Sequence, residues 1–169
     1  GPRSIVGAAV QLWRSRDLID WESLGAPFTL KDGPYPRPGD RIWAPELHWV
    51  PQLKRWALVH CPQQKSNLAL SAGPEPAGPW SFPMGRRFAG HHDPSLFCDG
   101  DTWWVLSENT HVQPLAPGFT GFTSPRTRID PAGSRPGPDG TPISRIGHEG
   151  ATMRRIGANW DVTANRDAE

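Results

Sequence analysis

Cysteine, methionine and tyrosine are scarce: 169 residues hold two, two and one of them. Cys61 and Cys98 are too few for the disulfide frameworks of small secreted domains. They are also too far apart for a zinc site, whose ligands come in closely spaced pairs. Both read as small core residues. An excess of one charge sign is missing too, since 18 basic side chains face 17 acidic ones and the net charge is +1. Without a concentrated basic face, neither nucleic acid nor a membrane surface is an expected partner. The pairs Arg86-Arg87 and Arg154-Arg155 read as solvated edge or loop residues. No run of about 18 apolar residues is present that would cross a bilayer as a helix. Residues 1–10 are apolar but lack the charged, apolar and small-residue zones of a signal peptide.

Proline, glycine and tryptophan are abundant, with 20, 18 and 9 copies. Each proline removes a backbone donor and crowds the preceding turn, so long helices are excluded and an all-β chain with many turns is expected. Three segments share one layout. Ala44-Pro45-Glu46-Leu47-His48-Trp49-Val50 leads through a turn to Trp56-Ala57-Leu58-Val59. Asp93-Pro94-Ser95-Leu96-Phe97 leads through Asp99-Gly100 to Trp103-Trp104-Val105-Leu106. Glu149-Gly150-Ala151-Thr152-Met153 leads through Gly157 to Asn159-Trp160-Asp161-Val162. Each reads as a hairpin, and Asp-Gly is a strong turn signal because glycine takes positive φ without strain. Pro45 and Pro94 are 49 residues apart, Pro94 and Gly150 are 56 apart. A period near 50 built from strands points to propeller blades.

The intervening stretches read as outer halves of blades: Val10-Gln11-Leu12-Trp13-Arg14-Ser15 before Asp17 to Trp21, and Leu68-Ala69-Leu70-Ser71 before Gly78-Pro79-Trp80. Their tryptophans are expected to pack against a sheet. About three blades fit this length, whereas a closed ring takes about four to eight, so the chain is expected to continue at one end or both. Residues 112–147 carry seven prolines and read as a loop inserted between blades, either near the ligand mouth or as a surface excursion without a role. The polar end, residues 164–169, resembles no blade strand.

In a propeller the first strand of each blade lines the central channel, so residues that open the repeat converge on the axis. Here they are Asp93, Glu149 and, one step along, Glu46. Grouped carboxylates suit a site with one protonated and one ionised carboxyl group, the requirement of glycoside hydrolysis. Clustered oxygens also suit a calcium ion. Taken singly, an Asp-Pro is commonly a strand-start device and a Glu-Gly a solvated turn; their shared repeat phase is what singles them out.

At these residues the chain resembles glycoside hydrolase family 43, five-bladed propellers that include arabinanases, arabinofuranosidases and β-xylosidases. The matching words are Ser15-Arg16-Asp17-Leu18-Ile19-Asp20-Trp21, Trp43-Ala44-Pro45-Glu46, His92-Asp93-Pro94-Ser95-Leu96-Phe97 and Glu149-Gly150-Ala151. The resemblance implies an all-β, five-bladed β-propeller of which about three blades lie in this chain. Residues 1–169 would then form a partial catalytic domain, with the first blade incomplete and the last ones missing. It implies inverting hydrolysis of arabinose- or xylose-containing glycans, with Glu149 as general acid and Asp93 setting the pKa of that acid. The general base would lie upstream of the Ser-Arg-Asp-Leu word, outside this chain, and neither Asp17 nor Asp20 replaces it. Trp43, Glu46 and His92 would contact the sugar. No cofactor is implied beyond a structural calcium ion in the complete propeller, and polymer degradation implies secretion. Two other readings stay open: a non-catalytic carbohydrate-binding propeller, and a degenerate gene product.

Overall fold

The computed structural model describes residues 7–35, 37, 41–62, 65–85, 88, 92–129, 135–136, 139–140, 142–143, 146–147 and 149–165. The expectation for Arg86 and Arg87 lies outside them. The chain divides into two compact units, Gly1–Ala89 and Gly90–Glu169. Among the described residues there is no α-helix, as the prolines require, and every sheet is antiparallel.

The first unit opens with short strands. β1 (Ala9–Val10) pairs with β4 (Phe28–Thr29), and β2 (Trp13–Ser15) pairs with β3 (Trp21–Ser23). Asp17 shapes the turn between β2 and β3. Its carboxylate accepts the N–H groups of Ile19 and Asp20, both at 2.9 Å, and these bonds hold it below the usual carboxylate range. A three-stranded sheet follows in the order β5 (Ile42–Val50), β6 (Arg55–Pro62), β7 (Asn67–Leu70). β7 is buried along its whole length, Asn67 included, and the rest of it, Leu68-Ala69-Leu70, is apolar throughout. Phe28, Leu30, Tyr35, Ile42, Leu58, Ala69 and Trp80 form the core. Trp80 packs there as expected, and its indole N–H donates to the Pro27 carbonyl at 2.7 Å. Trp21 does not: it is half exposed, like Trp13, because the β2–β3 hairpin is polar at every other position and offers no apolar face to cover it.

The core of this unit also contains a polar trio. The Leu58 carbonyl can only accept, so His60 Nδ1 carries the proton toward it and Nε2 accepts from the Tyr35 hydroxyl. The Asn67 amide donates to the same hydroxyl at 3.0 Å. All three residues are buried, and burial favours the neutral imidazole of His60.

The second unit contains a four-stranded sheet, in the order β8 (Ser95–Asp99), β9 (Thr102–Ser107), β10 (His111–Pro114), β11 (Thr127–Arg128). The expected hairpin is present. Asp99 is still paired, to Thr102, so Gly100 (φ +59°) and Asp101 form the tip. β10 and β11 correct the expectation of a loop beginning at residue 112: that stretch supplies the outer half of this blade. Prolines did not prevent it, because Pro114 ends β10 and Pro117 opens a 3-10 turn, positions that need no ladder donor. A short ladder of β12 (Arg135–Pro136) and β13 (Pro142–Ile143) follows.

The last hairpin is β14 (Glu149–Ile156) with β15 (Asn159–Asn165), turning at Gly157, φ +62°. Ala164 and Asn165 thus belong to a strand, contrary to the reading of the polar end. Their partners across the ladder, not their own hydropathy, hold them there. Phe97, Leu106 and Ala151 form the buried contact between the two sheets of this unit, flanked by Trp104, Val112, Met153 and Val162. Cys61 is buried and Cys98 half-buried, and neither forms a disulfide.

Candidate active site

In the first unit, Trp43 lies half-buried on β5 opposite Cys61. The ladder is interrupted between Trp43 and Glu46, and Ala44 in the gap has φ +46°. A bulge of this kind re-aims the side chains that follow it. Glu46 is half-buried, and its Oε2 lies 3.0 Å from His48 Nε2. Sequence reasoning missed His48. The visible signal was its spacing, since residues two apart on a strand share a face.

In the second unit, Asp93 is half-buried with φ +45°, directly before the buried Pro94 and the start of β8. This is the left-handed region that non-glycine residues enter rarely, Asp more readily than most. His92 is exposed, and its carbonyl accepts the Glu108 N–H at 2.9 Å. Glu149 is exposed at the first position of β14, paired with Asn165. The next pair in register is Thr152 with Thr163, so Gly150 and Ala151 together face Ala164. Gly150 has φ +63°, which explains the Glu-Gly word: only glycine takes that conformation at no steric cost.

A bulge leaves a ladder donor over. Ala151 is buried, and its N–H is taken by the side-chain carbonyl of Asn109 at 3.1 Å, across 42 residues of sequence. Asn109 sits in the turn from β9 to β10, where Glu108 has φ +51° and Asn109 φ +59°. One turn therefore holds both carboxylate words. Glu108 binds the carbonyl before Asp93, and Asn109 binds the amide two residues after Glu149. The turn is itself tied down by Arg126, 2.9 Å from the Glu108 carboxylate. Neither Glu108 nor Asn109 was found from sequence; a polar trio closing two apolar strands marks only a turn. Among the described residues, no group of three or more His, Cys, Asp or Glu side chains is placed to hold a metal ion.

Residues 4–130 match the model of glycosyl hydrolases family 43. The chain belongs to that family. No curated protein matches its sequence. Among solved structures it is similar to an endo-1,4-β-xylanase from Bacteroides thetaiotaomicron, with a TM-score of 0.67 and 19% identity. An endo-arabinase from the same organism gives 0.64 at 15%, and an exo-β-1,3-galactanase from Phanerochaete chrysosporium 0.67 at 14%. The matches cover 94, 92 and 98% of this chain but 55, 62 and 39% of those proteins. The chain thus spans about half the length of the xylanase. At such identities the likeness shows the fold, an all-β propeller of which this family-43 chain carries a part.

Proposed function

We propose that this family-43 chain is part of an inverting glycoside hydrolase acting on arabinose- or xylose-containing glycans. Glu149 is the general acid that protonates the leaving oxygen. Asp93 sets the proton affinity of that acid, and the base that activates water comes from the blade upstream of Ser15, outside this chain. The observation that carries the reading is the Glu149-Gly150 bulge. It places an exposed carboxyl at the very start of a blade strand and ties it, through the turn at residues 107–110, to the Asp93-Pro94 word. Trp43, Glu46 and His92 contact the sugar. Of these, Trp43 offers a half-buried ring face and Glu46 a carboxylate that can accept sugar hydroxyls, beside His48. The three solved relatives carry xylanase, arabinase and galactanase in their names, which supports a glycan substrate and leaves the choice of sugar to assay.

The test is hydrolysis of aryl arabinofuranosides and xylosides by the complete protein, with the anomer first released followed by NMR. Inversion is expected, because a base-activated water attacks the anomeric carbon in a single displacement from the face opposite the leaving group. Retention of configuration, or no turnover of either sugar series with the upstream base present, overturns the proposal.

A further inference from the structure

The β14 bulge exists only because a residue from another sheet completes it. Gly150 and Ala151 share one partner position, so the Ala151 N–H has no ladder acceptor. Buried and unpaired, that donor would cost about 1–3 kcal/mol. Asn109 meets the need with a side chain that is itself buried. Its own backbone is left-handed, a conformation asparagine accepts better than other side chains. The residue before it, Glu108, anchors the His92 carbonyl. Removing the Asn109 acceptor frees the bulge to repair itself into regular ladder. A one-residue shift in a strand turns the following side chains to the opposite face. With the rest of β14 held in register, Glu149 would lose its pairing with Asn165 and turn to the opposite face of the strand.

From this geometry we infer that Asn109 is a positioning residue for Glu149, holding the acid carboxyl in register with Asp93 through the Ala151 amide. The inference rests on Glu149 being the acid. It assigns no contact between Asn109 and substrate; the residue acts through the backbone of β14.

The experiment compares Asn109→Gly, Asn109→Asp and Glu149→Gln in the complete protein. Each is assayed on aryl glycosides with good leaving groups and on unactivated disaccharides, with rates normalised to the folded fraction. Asn109→Gly keeps the left-handed backbone and removes the buried side chain, the Ala151 acceptor included. Its kcat on disaccharides is expected to fall about tenfold or more, the scale of a misplaced proton donor. On activated aryl glycosides it is expected to change less than about threefold, with KM on both little altered. Asn109→Asp restores the acceptor and the backbone preference. It is expected to recover most of the disaccharide rate and to move the alkaline limb of the kcat profile upward, because an added carboxylate raises the proton affinity of a neighbouring acid. Equal losses on both substrates in Asn109→Gly, or no recovery in Asn109→Asp, reduce Asn109 to a folding role and overturn the inference. A Glu149→Gln variant that loses equally on both substrates removes the acid assignment itself, and this inference with it.

Discussion

Ala44 and Asp93 occupy the same phase of the repeat, precede a proline each, and share nearly the same backbone, φ +46° and +45°. A left-handed non-glycine residue costs of order 1–3 kcal/mol, so its recurrence one blade apart is a property of how a blade strand begins. Asp93 adds a carboxylate to that entry and Ala44 does not. The strain alone is therefore no mark of catalysis; the side chain placed on it is. His60 is the other residue whose chemistry is set by its surroundings. Burial pushes its imidazole down to about 4 from an ordinary 6.5. A lowered imidazole costs the fold nothing while both states are neutral, above about pH 6.5, and destabilises it progressively as pH falls toward 4. Linkage puts the full loss on the order of 3 kcal/mol. Urea unfolding of the wild type should thus weaken between pH 7 and pH 4.5 by clearly more than His60→Gln does. Parallel pH dependences for the two would contradict the buried, neutral assignment.

At the scale of elements, the hairpins were legible because their signals are local. Asp99-Gly100 and Gly157 mark turns, and the apolar runs before and after them mark strands. What was misread has a common cause: non-local pairing. β10 hides in a proline-rich stretch because its proline falls on its last residue, β11 because it is an edge strand of two residues, and the last residues of β15, Ala164 and Asn165, hide in a polar tail because β14 supplies their partners. The Asn109–Ala151 bond, 42 residues long in sequence, leaves no pattern at all in a single chain. The repeat phase that singled out the carboxylates puts Asp93 two residues before β8 and Glu149 at the first residue of β14, and their roles belong to the proposal. The same split between local and packed interactions orders stability. Leu106 is fully buried between the sheets of the second unit, and Leu106→Ala should cost about 2–5 kcal/mol. Arg155 meets Asp99 at 3.1 Å on the surface, and Arg155→Ala should cost about 1 kcal/mol or less, since solvent screens such pairs. Denaturant midpoints of the two variants that fail to separate would place the core elsewhere.

For the whole molecule, the family and the propeller fold rest on findings of different reach: a family match over residues 4–130 and structural likeness over nearly the whole chain. Those relatives extend well beyond the matched region, so the base, the remaining blades and the closed channel belong to the proposal of a longer enzyme. Within the chain the central proposal is that Glu149 gives the proton. Its most direct test is Glu149→Gln in the complete protein, assayed across leaving groups of graded basicity. General-acid help is worth about 10²–10⁴-fold where the leaving group needs a proton, and little where it does not. A proton-donating Glu149 predicts a steep loss on unactivated glycosides, a small one on dinitrophenyl glycosides, and disappearance of the alkaline limb of the pH profile. A uniform loss across the series, with that limb intact, would contradict it.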